Sequence, residues 1–366
     1  MPAILTHYIA GQAVLNNLPA TIREKIQPCE QLYNLGTQGP DIFFYYIPGA
    51  VRQRSRGIGG YMHRNNLGLF LAQLAREASM AEDYASYDHP VIPGSTRNLH
   101  ENESKPSLTC TKSDKLGLRN YSLKIAGQAR NDIICNKDII FSYAAGFIMH
   151  YLVDSHTHPY VYAKTEKSGA SKIKNSTDHH EFEAAIDIAM LEIFSGKKPA
   201  NYKLCKLIDA DVAHITTASA AASEAIRTVY DRQVSAKDVR KAMRYMVQIV
   251  RLIQSRNGRR KKLIGLAEKL ILGHPLNASI IHDQNIDSSI DYLNEKRQPW
   301  QAPWEAMTST DSFLDRYQAA VDEGLQIIQL LHDYVYESLP VETFHAKLGN
   351  RSLKTGLECE AVSCEL

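Results

Sequence analysis

The helical periodicity of apolar residues is the feature that most constrains the fold of this 366-residue chain. Apolar side chains recur every three to four residues along most of its length, whereas the alternating pattern of a β-strand is scarce. Residues 139–158 and residues 178–194 show the pattern most clearly, and both segments are long enough to form helices of a buried core. The sequence therefore predicts an all-α protein built as a multi-helix bundle.

The ends of these two core helices follow from residues that stop or cap a helix. Pro159 is expected to end the first helix, because proline lacks the backbone N–H that continues a helix. Thr177 or Asp178 is expected to cap the second. Further helices are predicted over residues 66–84, 209–231, 235–256, 260–272 and 310–338.

The chain is predicted to form a single helical domain over residues 1–340. Residues 88–136 are rich in Pro, Gly, Asn and Ser and show little periodicity, so we expect a loop or an insertion there. Residues 341–366 are expected to form a polar C-terminal tail.

Composition excludes several classes of protein. An apolar fraction of 44% and a charged fraction of 22% are typical of a globular domain. The net charge of +2 and the lack of a specific nucleic-acid motif do not favour nucleic acid as a partner. No apolar run is long enough for a transmembrane segment, and no signal peptide is evident, so we expect a cytoplasmic protein. The six cysteines are scattered without a CxxC pair, which argues against a cysteine-based zinc site.

Histidines alternate with a carboxylate on the first core helix. His150, Asp154 and His158 follow one another at intervals of four residues, so their side chains form one stripe along the helix. Phe147 and Leu152 are apolar neighbours, which places part of this helix in the core. A buried carboxylate between two imidazoles needs a partner, and a divalent cation is a natural one.

The second core helix repeats this arrangement with His179, Glu183 and Asp187. Two such stripes on facing helices would form a cage of nitrogen and oxygen ligands, which zinc favours when one position stays open for water. A lone histidine on an apolar face is more often a hydrogen-bonded core residue. Two stripes close together in sequence favour a metal site over surface or structural histidines.

Further motifs combine with the two stripes. Three of them precede the first core helix, and one ends it; they are Thr6-His7-Tyr8, Gly39-Pro40-Asp41-Ile42-Phe43, Met62-His63 and His158-Pro159-Tyr160-Val161. In this order the motifs, which span residues 3–195, resemble the zinc-dependent phospholipase C family. That family includes secreted bacterial phospholipases C and α-toxins, and its fold is related to the P1/S1 nucleases. The resemblance implies an all-α, phospholipase C/P1 nuclease-like bundle with a metal-binding cleft.

The resemblance also implies two or three zinc ions and their ligands. Asp41 would in addition be the catalytic general base, and Asp187, His156 and His180 would surround the ligands, with Asp187 orienting them. The implied ligands are His150, Asp154, Asp41 and His63 for one ion, His158, His179 and Glu183 for a second, and His7 with Asp154 as a bridge for a third.

Two departures from the family pattern leave alternatives open. The secreted enzymes place the next histidine five residues beyond the aspartate, whereas here one residue separates Asp154 from His156 and three separate it from His158. The choice between His156 and His158 as ligand therefore stays open, as does that between His179 and His180. The secreted enzymes also use an N-terminal Trp as a ligand, which this sequence lacks, so the number of ions stays open.

The implied function is that of a zinc-dependent phospholipase C-like phosphodiester hydrolase. A metal-activated water would cleave a phospholipid, or a related phosphodiester, on the glycerol side and leave diacylglycerol and a phosphorylated head group. A phosphodiesterase or nuclease acting on a soluble substrate would use the same cage. The third alternative is a non-catalytic helical metal-binding protein, although structural zinc sites often use thiolates, which are absent from this set.

Overall fold

The computed structural model describes residues 4–44, 52–81, 134–166, 168–253, 259–272, 281–282 and 285–359. Over these ranges the regular secondary structure is helical, and the only extended pairings are two isolated bridges, Trp300 with Ser309 and Arg351 with Glu358. The predicted all-α class is thus confirmed. None of the described helices is at once long and apolar enough to span a membrane.

The helices are numbered in chain order, and a short 3₁₀ helix, Gly39–Phe43, follows α3. They are α1 (Ile4–Asn17), α2 (Ala20–Ile26), α3 (Glu30–Gly36), α4 (Arg52–Met62), α5 (Leu67–Met80), α6 (Asn136–Thr165), α7 (Lys172–Ser195), α8 (Leu204–Leu207), α9 (Val212–Tyr230), α10 (Ala236–Ile253), α11 (Arg259–Leu272), α12 (Phe313–Tyr336) and α13 (Val341–Leu348).

Helix α6 is buried over most of its length. Nearly every residue from Ile139 to Val161 is buried, including Tyr143, Phe147 and Tyr151. A helix that is apolar on all sides is expected in a protein interior. Its central position brings the predicted histidine stripe into the core, next to α1, α7 and the 3₁₀ helix.

The prediction that Pro159 ends this helix is wrong, because α6 continues to Thr165. Proline removes only one backbone donor, and the residues that follow it, Tyr160 and Val161, are both buried. Burial of these side chains outweighs the local preference of proline.

Helix α7 also begins earlier than predicted. Its N-cap is Ser171, whose side chain accepts a hydrogen bond from the backbone N–H of Lys174 at 3.2 Å, and the expected caps Thr177 and Asp178 lie inside the helix. Serine at this position satisfies one of the free N–H groups of the first turn. His179 therefore lies well inside a regular helix, where its direction is fixed.

The chain divides into two compact units, one formed by Met1–Ala81 with Lys137–Leu366 and the other by Glu82–Asn136. The first unit contains all the predicted ligands. The loop or insertion predicted over 88–136 lies outside the described residues, apart from 134–136.

The segment expected to be a polar tail differs from that expectation as far as Cys359. Its first part forms α13, which packs against α5 and α12. Phe344, Leu348 and Leu353 are completely buried. These three apolar side chains anchor the segment, whose last seven residues, 360–366, lie outside the described part.

Candidate metal centre

The predicted ligands converge at the floor of one cleft of about 740 Å³. Helix α1 contributes His7, the 3₁₀ helix contributes Asp41, and His63 follows the last residue of α4. The remaining ligands come from the two stripes on α6 and α7, and all of the predicted ligands except the fully buried His150 line the cleft.

Asp154 lies at the centre of the first cluster. Its Oδ1 atom is 2.9 Å from His7 Nε2 and 3.6 Å from His158 Nε2, and its Oδ2 atom is 3.1 Å from His150 Nε2. The ligand atoms of His7, His150 and Asp154 lie within 4.8 Å of one another. One carboxylate thus lies close to three histidines that are predicted ligands.

Asp41 and His63 approach the other side of His150. Asp41 Oδ1 is 3.1 Å from His63 Nε2, and the two side chains form a second candidate group with His150. Gly39 makes this possible, because its φ is +49° and a Cβ atom there would lie 2.4 Å from His150 Cγ. The backbone wraps closely around the His150 ring and turns Asp41 into the cleft, which explains the Gly-Pro-Asp motif.

His158, His179 and Glu183 form the third candidate group. Glu183 Oε1 is 3.1 Å from His158 Nε2 and 3.2 Å from His179 Nε2. The two helical stripes thus face each other at this group.

In three of these histidines the Nδ1 atom faces a backbone carbonyl oxygen. Nδ1 is 2.8 Å from Gly59 O in His63, 3.1 Å from Thr37 O in His150 and 2.6 Å from Leu353 O in His158. A carbonyl oxygen can only accept, so each Nδ1 donates a proton. In the neutral imidazole, Nε2 then keeps its lone pair, and it points at the cluster.

This arrangement fits zinc. Neutral Nε2 atoms and carboxylate oxygens are all acceptors, so they can face each other only if a proton or a cation lies between them. Among the described residues, both ring nitrogens of His7, Nε2 of His150 and Oδ1 of Asp41 are buried without a hydrogen-bond partner, although His7 Nε2 and Asp154 Oδ1 are 2.9 Å apart. Imidazole and carboxylate ligands at an open cleft are those of catalytic zinc.

Burial and charge control protonation within the cluster. Burial, followed by the charge of His150, lowers the pKa of His7 to about 3, so its imidazole is neutral. Burial also disfavours the charged form of His158, but the charge of Asp154 and the hydrogen bond with the charged Glu183 together outweigh it and raise the pKa to about 9. Burial raises the pKa of Asp154, yet His158 and His150 lower it more, so the carboxylate is ionised. A divalent cation would therefore displace protons when it binds.

The structure separates the two alternative histidine pairs. His156 Nε2 points away from the cluster to Glu323 Oε2, at 2.6 Å, whereas His158 joins Glu183. His180 lines the cleft beside His179 but belongs to none of the candidate groups. Burial lowers the pKa of His180 to about 3.

Asp187 lies at the N-terminus of α1. Its carboxylate accepts hydrogen bonds from Leu5 N at 3.0 Å, Thr6 N at 2.8 Å and Thr6 Oγ1 at 2.6 Å. It also lies 2.9 Å from His282 Nε2. Asp187 thus holds the helix that contains His7, and a carboxylate here is also favoured by the helix dipole. No local spacing in the sequence indicates the contact with His282.

Residues 350–359, which we call the C-terminal strap, contact two of the predicted ligands. The backbone N–H of Leu353 donates to His63 O at 2.9 Å, and Leu353 O accepts from His158 Nδ1. A strap residue therefore supports two histidines from different candidate groups. The sequence gives no signal for this contact, since a main-chain carbonyl can come from any residue.

More than half of the chain matches a known protein family. Residues 6–237 match the family described as zinc dependent phospholipase C. The match covers more than half of the chain, so the chain belongs to the zinc-dependent phospholipase C family, and its all-α architecture is the phospholipase C/P1 nuclease-like fold. The comparison with curated proteins finds no match, and neither does the comparison with solved structures.

Proposed function

We propose that this chain uses zinc held at the floor of the cleft to hydrolyse a phospholipid, or a related phosphodiester, at its phosphodiester bond. Family membership supports zinc-dependent phosphodiester hydrolysis at the level of the family. The observation that carries the proposal for this chain is the convergence of imidazole nitrogens and carboxylate oxygens in three candidate groups. Within these groups, both ring nitrogens of His7 and the Nε2 atom of His150 are buried without a hydrogen-bond partner among the described residues.

Three groups of side chains would hold the zinc ions. Zinc bound there supplies Lewis-acid stabilisation of the charge that develops on the phosphoryl oxygens. The number of ions is proposed as two or three. The groups are His150 and Asp154 with His7, His150 with Asp41 and His63, and His158 with His179 and Glu183.

Asp41 is proposed as the general base. Burial raises the pKa of its carboxyl group, but the neighbouring His63 and His150 lower it by a larger amount. The pKa therefore lies below its usual value, and the group is ionised. It lines the cleft, and its Oδ1 atom lies 3.1 Å from His63 Nε2. An ionised carboxylate can accept a proton from an attacking water.

The cleft itself favours catalysis over a closed structural site. Phe44 lies beside His63, with ring centroids 5.2 Å apart, and forms an apolar part of the wall. Arg64 and Glu166, also in the lining, are exposed, so the cleft is accessible from solvent. A closed structural zinc site would have four protein ligands and no such opening.

A matched pair of variants on α6 tests the proposal. Zinc content and hydrolysis of dihexanoylphosphatidylcholine and bis-p-nitrophenyl phosphate are measured for wild type, His158→Ala and His156→Ala. We expect zinc and activity in wild type, loss of activity and of the zinc held with His179 and Glu183 in His158→Ala, and retention of zinc in His156→Ala, because His156 pairs with Glu323 instead. Wild-type protein that binds no zinc, or that holds zinc but hydrolyses neither substrate, would contradict the proposal.

A further inference from the structure

Two cationic side chains, Arg64 and Lys354, occupy the wall of the cleft beside the candidate metal groups. Arg64 directly follows His63, and Lys354 directly follows Leu353. The hydrogen bond from Leu353 N to His63 O, 2.9 Å long, joins the two backbones at this point. The two cationic residues therefore each follow one partner of the same backbone hydrogen bond, although they are far apart in sequence.

The position of Lys354 is fixed by aromatic rings. Its Nζ atom lies 4.8 Å from the ring centroid of Tyr162 and 5.8 Å from that of Trp304. Trp304 Nε1 in turn donates to Thr355 O at 3.1 Å, and the Tyr162 ring contacts His179 at 4.6 Å between centroids. The ammonium group is thus held in place one ring away from a candidate zinc ligand, so little entropy is lost when it binds an anion.

The backbone of Arg64 is also restrained. Its N–H donates to Tyr61 O at 3.0 Å, and its carbonyl oxygen accepts from Cys359 Sγ at 3.2 Å. The C-terminal strap therefore supports Arg64 as well as Lys354. Arg64 is exposed where it lines the cleft.

Neither cation is neutralised within the described part of the chain. No carboxylate there forms an ion pair with Arg64 or Lys354, and this includes Glu166, the one acidic residue of the cleft lining outside the predicted ligands. Apart from the candidate metal groups, two positive charges and one negative charge thus line the cleft. A net positive wall in a concave site favours an anion.

We propose that Arg64 and Lys354 form a subsite for a second anionic group of the substrate. The preferred substrate is then a phosphodiester with a phosphate on one of its two substituents, an inference that rests on the proposed hydrolysis at this centre. The scissile phosphodiester has a single charge, which the metal groups are placed to match. Guanidinium and ammonium groups are the usual protein partners of an additional phosphate.

A substrate pair that differs by one phosphate tests the subsite. The pair is dihexanoylphosphatidylglycerol and dihexanoylphosphatidylglycerol phosphate, and the same pair without acyl chains distinguishes a lipid source from a soluble one. We expect wild type to prefer the phosphorylated member in kcat/KM by about tenfold or more, mainly through KM, with the preference falling as salt is added.

Variants assign this preference to the two cations. Lys354→Gln and Arg64→Gln are each expected to reduce it by about threefold, since the two cations share the preference. Lys354→Arg should retain the preference because it keeps the charge. Lys237→Gln, an exposed residue of α10 outside the cleft, is the control and should not change it. Equal losses on both substrates would overturn the subsite, because the cations would then act on the scissile phosphate.

A binding measurement separates the subsite from the proposed function. The zinc-loaded protein is titrated with glycerol 1,3-bisphosphate and with glycerol 1-phosphate, with tryptophan fluorescence as the readout, since Trp304 lies beside Lys354. Tighter binding of the bisphosphate, lost in Lys354→Gln, would support the subsite even if no substrate were hydrolysed. Equal binding of both compounds by wild type would overturn it, whatever the activity.

Discussion

The carbonyl oxygen of Leu353 accepts a hydrogen bond from His158 Nδ1 at 2.6 Å, although 195 residues separate the two in sequence. This bond places the proton on Nδ1 and leaves Nε2 free to face Glu183. Carbonyl groups that orient metal-binding histidines raise metal affinity. The C-terminal strap, which lies beyond the residues matched by the family, is therefore part of the candidate centre.

Gly356→Ala is predicted to loosen the strap and weaken zinc binding. Gly356 has a φ of +70°, and a Cβ atom there would lie 2.4 Å from the Ser155 carbonyl oxygen on α6. We expect zinc affinity to fall by about 10-fold or more, as seen when groups that support ligands are lost. Affinity is measured by competition with a chelator. Gly196→Ala is the control, since Gly196 has a φ of +62° but no atom within 4 Å of the added Cβ; equal affinities of the two variants would refute the prediction.

Asp187→Asn is predicted to destabilise the fold through α1. An amide cannot replace the carboxylate that accepts from Leu5 N and both donors of Thr6, so buried donors are left unpaired. We expect the free energy of unfolding to fall by about 3 kcal/mol. Urea unfolding measures it. Asp178→Asn on the same helix, where Asp178 forms an exposed pair with Lys174, should cost less than about 1 kcal/mol. Similar losses in both variants would exclude a special role for Asp187.

The two stripes could be predicted because their geometry is local. Residues four apart on a helix share a face, so His150, Asp154 and His158 must lie together wherever the helix packs. The same spacing indicates His179 and Glu183. That the two stripes face each other follows from burial of both helices, and the resemblance to a family supplied the remaining ligands.

The contacts that support the ligands could not be predicted, because they are distant in sequence and partly main-chain. Nothing about Leu353 or His282 differs from an ordinary buried residue until the fold brings them to His158 and Asp187. Pro159 shows the converse case. A proline in a helix interior costs about 3 kcal/mol, and burial of the residues around Pro159 offsets this cost.

The adjacent histidines of α7 are predicted to respond differently to substitution. His179 Nε2 faces Glu183 at 3.2 Å, whereas His180 belongs to no candidate group. We expect His179→Ala to lose the zinc held with His158 and Glu183, and His180→Ala to keep the wild-type zinc content. Mass spectrometry of the native protein measures the number of ions per chain. Loss of zinc in His180→Ala, with retention in His179→Ala, would reverse the assignment.

The contacts of Glu323 with Arg351 and His156 are predicted to make the free energy of unfolding depend on pH. Glu323 lies 2.8 Å from Arg351 Nη2 and 2.6 Å from His156 Nε2. Burial raises the pKa of its carboxyl group, but these partners lower it by a larger amount, so the pKa in the folded protein is below the usual 4.5. The unfolded chain therefore takes up a proton first as the pH falls, and the stabilisation is present above about pH 4.5 and lost below it. Glu323→Gln should cost about 1 to 2 kcal/mol at neutral pH and progressively less at acidic pH.

Urea unfolding of wild type and Glu323→Gln over a series of pH values tests this dependence. A chelator is present throughout, so that release of zinc by acid does not contribute to the difference between the two proteins. Asp322→Asn, an exposed neighbour on α12, is the control and should change stability by no more than about 0.5 kcal/mol. We expect the difference in stability to shrink in acid because Glu323 of wild type becomes protonated there and loses its charge. The amide of the variant is neutral and cannot form the ion pair at any pH. A difference between wild type and Glu323→Gln that stays constant from neutral pH to about pH 3.5 would show that the pair contributes no charge-dependent stability.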